Sequence, residues 1–202
     1  MADTDRELRR IEPVRTSIAR LLGVHRHERG PGVPGDRVAA RMLGRFPDGW
    51  HVFHDIPVGD GDAGIDGLIV GPAGVFTVDT KNLNGKVWVA SRSIRHNGHP
   101  TSFLHAAIAE AERASRLLST ALGRPIDVHP VLAILADEWT IKERPTDVFV
   151  AAPHWVTDWL LRQPGVLSPA EVAAICAIAA NSSTWHRPAI DVRVDGHDLE
   201  RL

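Results

Sequence analysis

The sequence predicts a mixed α/β fold of the α+β kind, in which antiparallel strands are followed by a helix, further strands and a helical C-terminal extension. Three observations predict it. From Trp50 to Ala90, hydrophobicity alternates with a period of two or runs continuously between short glycine-rich connections. Residues 101–122 switch to helical spacing, with Phe103, Leu104, Ala107, Ile108, Ala111 and Ala114 among the apolar positions. The apolar run Val128 to Ala136 then reads as a buried strand.

Taken in order, residues 5–23 carry Leu8, Ile11, Val14, Ile18 and Leu21 near a helical repeat, interrupted by Pro13. The glycines and prolines of residues 25–35 mark a linker, and a helix is expected from about Pro34 to Phe46. Trp50–Val58, Ile65–Val70, Gly74–Thr80 and Lys86–Ala90 read as successive strands. Their connections are too short for parallel crossovers, so an antiparallel meander of all or most of them is expected. After the long helix come strands at Val128–Ala136 and Val148–Ala151, helices near 153–162 and 169–181, and an alternating segment at 190–194. This divides the chain into residues 1–33 (helix and linker), a core over 34–152, and a helical extension over 153–202 packing on it.

With 202 residues the chain suits one well-buried domain with extensions. Lys+Arg 23 against Asp+Glu 25 leaves no global basic field, so contact with nucleic acid has to be local, or supplied by a homodimer or an ancillary protein. Cys176, the single cysteine, lies in an apolar run and reads as a small core side chain. The charged N-terminus lacks the pattern of a secretory signal, and no stretch approaches the roughly 18 apolar residues of a membrane span. The expected location is the cytoplasm, with no membrane partner.

The chemistry gathers near the end of the third strand. In Val75-Phe76-Thr77-Val78-Asp79-Thr80-Lys81, alternation puts Asp79 and Lys81 on one face, and pairing with Gly64-Ile65-Asp66 can bring Asp66 opposite Asp79. Only Lys81, Lys86 and Lys142 are lysines in this arginine-rich chain, which makes Lys81 an informative choice. Apolar residues would stabilise the sheet at least as well as such a trio. A bound Mg²⁺, with its preference for oxygen ligands and retained waters, changes that balance.

Gly35-Asp36 opening a helix, the Trp50–Asp55 strand, Gly64-Ile65-Asp66, Gly71-Pro72-Ala73-Gly74-Val75-Phe76, Asp79-Thr80-Lys81-Asn82, Gly85 and Asn97-Gly98 form an ordered set. The set resembles the PD-(D/E)xK nuclease superfamily and, within it, the nuclease-related domain (NERD) family. The resemblance implies a restriction-endonuclease-like core and Mg²⁺- or Mn²⁺-dependent phosphodiester hydrolysis, with DNA as the expected partner. Asp66 and Asp79 would be metal ligands, Lys81 the water-positioning or charge-stabilising group, and Asp36 an accessory acid where the family has Glu. Asp36 also reads as an acidic residue favouring the helix dipole. His105 falls where relatives offer Gln, and reads either as a phosphate donor or as a cap over the cavity. Arg37, Arg41 and Arg45 share a helix face that tracks phosphates or is simply solvated.

Two other functions fit the same residues: a catalytically inactive nuclease fold that grips nucleic acid or a protein, and an RNA or nucleotide phosphodiesterase. His25, His27, His51, His54, His96 and His99 match no zinc-binding spacing and read as surface or core residues. Trp139, Trp155, Trp159 and Trp185 read as buried before they read as base-stacking platforms.

Overall fold

The computed structural model describes residues 46–59 and 64–186. The expected helices over 5–23 and 34–46, the linker between them and the segment 190–194 lie wholly or almost wholly outside those residues.

Strands β1 (His51–Pro57), β2 (Gly64–Gly71) and β3 (Gly74–Asn82) form the expected antiparallel meander. β2 and β3 turn sharply through Pro72-Ala73, with Gly71 paired to Gly74. A side chain at Gly71 would meet the Trp50 ring at 2.3 Å, so glycine lets that indole lie on the strand. Long helix α1 (Phe103–Leu122) ends on Gly123 in a left-handed conformation at φ 72, and leads to β7 (Val128–Leu135). β7 adds parallel to β3, and β9 (Phe149–Ala151) adds parallel to β7, giving a five-stranded sheet in the order β1-β2-β3-β7-β9.

The fourth strand departs from the expected meander. β4 (Lys86–Ala90) does not pair with β3; it belongs to a second sheet with β5 (Ser93–His96), β6 (His99–Pro100) and β8 (Glu138–Ile141), in the order β6-β5-β4-β8. A short connection implies a hairpin only if the chain reverses, and at Asn82–Gly85 it bends instead. β3 and β7 run side by side, bend together, and pair again as β4 and β8 in parallel. The bend is held by Leu83 N–H donating to Leu135 O at 2.8 Å, and by Asp137 and Glu138 N–H both donating to Gly85 O at 3.1 Å. Asn97 and Gly98, both at positive φ, make the two-residue turn from β5 to β6. The Asn97 side chain reaches back, accepting from Lys86 N–H at 2.8 Å and donating to Asn84 O at 3.1 Å.

The large sheet is covered on both sides. Leu68, Val70 and Val75 pack with Ala114 and Leu118 of α1 and with Val172 and Ile175 of α3 (Pro169–Ala179). On the other face Ile69, Phe76 and Val78 pack with Val156 and Leu160 of α2 (Pro153–Leu161). The result is a mixed-sheet α/β architecture with helix layers on either side. Trp185 is buried, and Trp139, Trp155 and Trp159 are packed against core clusters, as the bland reading of the tryptophans expected. Cys176 is half-buried beside the first cluster.

Candidate active site

β3 is the central strand of the large sheet, and it is buried along most of its length before opening at Thr80, Lys81 and Asn82. It therefore carries its functional residues from the core outward. Val75, Thr77, Asp79 and Lys81 alternate onto the face beneath α1. In the parallel register Asp79 lies beside Leu132 and Lys81 beside Ile134 of β7, and those two leucine-type side chains pack against Leu104 and Ala107 of α1. The β2–β3 pairing ends at Leu68↔Thr77, and continuing the same alternation along both strands puts Asp66 on the side of Asp79, with which its carboxyl interacts. The site thus sits at the carboxyl ends of β3 and β7, where ligands gather in open α/β sheets.

Asp79 is only 4% exposed and ion-pairs with Lys81, whose Nζ stands 2.5 Å from Oδ1. The ammonium also lies over the Phe103 ring, 5.8 Å from its centre. Strand and helix together therefore fix the position of a single positive charge.

Asp66 is exposed along one side, while its carboxyl hydrogen-bonds to that of Asp79 and to the Thr80 backbone. Loss of water around it pushes its pKa above the usual carboxylate range, and the Asp79 charge adds to this; Lys81 and the Thr80 backbone oppose it. Two carboxylates in direct contact cannot both stay charged comfortably without a proton or a cation between them.

A third acid stands close by. Glu110, in the middle of α1, has a buried Oε1 with no hydrogen-bond partner. Its pKa is pushed up to about 8, first by burial and then by the charges of Asp79 and Asp66, with Lys81 and Arg113 pulling it down. Sequence reasoning missed it, because Glu110, Glu112 and Arg113 look like an ordinary solvated helix face. The available signal was its place among Ala107, Ala111 and Ala114, small residues that let the helix lie close to the sheet.

The structure therefore brings Asp66, Asp79 and Lys81 together. His105 is exposed, and five residues of helical rotation set it roughly 140° around α1 from Glu110. It does not join the cluster. Asp36, Arg37, Arg41 and Arg45 lie outside the described residues.

Among the described residues no group of three or more His, Cys, Asp or Glu side chains is arranged to hold a metal ion. Mg²⁺ and Mn²⁺ make a smaller demand, since a hard ion that keeps several waters takes only one or two carboxylates from a protein. Asp66 and Asp79, whose carboxyls interact directly and which are open to solvent on the Asp66 side, fit such an ion. Among the described residues no helix is long and apolar enough to cross a membrane.

The search of curated proteins and that of solved structures each gave no match. A family model described as nuclease-related domain matches residues 31–135, just over half of the chain, from before β1 to the last residue of β7. That stretch contains Asp66, Asp79, Lys81 and Glu110, and the chain belongs to the nuclease-related domain (NERD) family.

Proposed function

We propose that the protein is a divalent-metal-dependent nuclease that hydrolyses phosphodiester bonds in DNA. The observation that carries this reading is the convergence of Asp66, Asp79 and Lys81 at the open end of a buried central strand, in a chain of a nuclease-related family. Asp66 and Asp79 would hold Mg²⁺ or Mn²⁺, which when bound lowers the pKa of water and neutralises charge on a phosphoryl oxygen.

The remaining work falls to the protein's own groups. Asp79, fixed by burial, holds the Lys81 ammonium at one place, so that no reorganisation is needed when negative charge develops on the phosphate. Phe103 limits where that ammonium can go. The exposed side of Asp66 leaves an approach for the strand to be cut. Arg37 and Arg41 are proposed phosphate contacts and Asp36 a proposed accessory acid, all from the segment preceding the described residues.

The test is nicking of supercoiled plasmid by wild-type and Lys81→Ala protein in EDTA, Mg²⁺ and Mn²⁺. Cleavage should require metal and fall about 10²- to 10³-fold or more in the variant, the scale of losing one pre-placed stabilising group. Retained DNA binding with no cleavage of plasmid, single strands or RNA would instead establish a non-catalytic binding module. Preferential cleavage of RNA or small phosphodiesters would change the substrate class and leave the site assignment intact.

A further inference from the structure

Glu110 presents a difficulty that packing does not resolve. Its Oε1 is buried and makes no hydrogen bond, although it lies on a helix flank where Ala107, Ala111 and Ala114 make close contact with the core. Burying an acceptor without a donor is costly, and an apolar or amide side chain there would avoid most of that cost. The groups that bear on it are Asp79 and Lys81 from β3, Asp66 from β2 and Arg113 from its own helix. Lys81 is already engaged with Asp79. Three carboxylates therefore share one inward ammonium, with Arg113 in support.

We propose that Glu110 positions the hydrated face of the divalent cation held by Asp66 and Asp79, its carboxylate accepting hydrogen bonds from water molecules on the ion. This rests on the metal-dependent reading above. A water bound to a cation turns its oxygen to the metal and both hydrogens outward, so its surroundings have to supply acceptors. Neither Lys81 nor a backbone N–H can do that, whereas an unpaired carboxylate oxygen can. Glu110 acts through water and is a positioning residue. It selects a hard ion that retains its hydration, of the Mg²⁺ or Mn²⁺ class.

The test is calorimetric titration of Mg²⁺ and Mn²⁺ into wild-type, Glu110→Gln and Glu110→Ala proteins, alongside their melting temperatures in EDTA. Loss of an outer acceptor is expected to weaken cation affinity about 10- to 100-fold in both variants. Their melting temperatures in EDTA should equal or exceed that of wild type, because an acid crowded by Asp79 and Asp66 has been removed. Wild-type affinity in both variants would overturn the proposal, as would weakened affinity accompanied by lowered melting in EDTA, which marks a structural role. A wild-type protein that binds neither ion would overturn the metal-dependent reading itself, and this proposal with it.

Discussion

At Glu110 a carboxyl is kept where its ionised form is disfavoured, and the consequence is measurable without any substrate. Burial, then Asp79 and Asp66, raise its pKa from 4.5 to about 8, against the pull of Lys81 and Arg113. Between those two values the folded protein binds more protons at this site than the unfolded chain does, so stability falls as pH rises. The metal-free protein should therefore melt highest near the low end of this window and lose stability up to about pH 8. Asp66, also raised by burial and by the Asp79 charge, contributes in the same direction. Melting curves in EDTA across pH 5 to 9 check this, and Glu110→Gln should flatten the profile above pH 6; an unchanged slope would show that Glu110 is not the group responsible. The contrast with Asp79 and Lys81 is physical. Strand alternation fixes which residues share a face, so the Asp-x-Lys pair could be read from the sequence, whereas a glutamate on a helix flank is told from a solvated one only by what packs above it.

At the scale of elements, β1 to β4, β7, β9 and the long helix follow from hydrophobic period and match within a few residues at each end, whereas the short strands β5, β6 and β8 of the second sheet do not. What the sequence does not reveal is that β4 leaves the large sheet. A glycine-containing connection can close a hairpin or bend a strand, and the choice here is made by distant partners, the backbones of Leu135, Asp137 and Glu138. Gly85 is the residue at which the bend depends on having no side chain. It sits at φ 92, and an added Cβ would stand 2.3 Å from Asn97 Oδ1. Its N–H also donates to Asp137 Oδ2 at 2.8 Å. Gly85→Ala should destabilise the protein by about 2 kcal/mol or more, from the positive φ together with the forced displacement of Asn97. Urea unfolding would measure it, and a loss below about 0.5 kcal/mol would show that the turn relaxes at little cost. The bend directly follows Lys81, so the same substitution should reduce metal-dependent cleavage beyond its effect on stability.

For the whole molecule, the family match ends at Leu135, yet the sheet and both of its covering layers are finished by residues beyond it. β9 pairs with β7 and α2 covers one face. α3 supplies Val172, Ile175 and Ala179 to the cluster that holds Leu68, Val75 and Leu118. A boundary near Ala152 therefore separates sequence segments more cleanly than it separates cores. A fragment ending at Ala152 should show no cooperative thermal transition, because apolar surface on both faces of the sheet would be left in water. A sharp melt comparable to that of the full chain would show instead that residues 34–152 form an independent domain. Chain composition could suggest one well-buried domain, but which segments share its core is a matter of long-range contact, and a single sequence carries little record of that.

The indole of Trp185 is buried and donates to Ala179 O at 2.9 Å, and its backbone oxygen accepts from Gly59 N–H at 3.0 Å. One of the last described residues thus fastens the segment following the first strand. Closing so long a loop is slow compared with forming a helix or a hairpin. During synthesis, β1 and β2 leave the ribosome well before the residue that closes over them, so the nascent sheet waits with an apolar face open, and the final locking step comes only once Trp185 has been made.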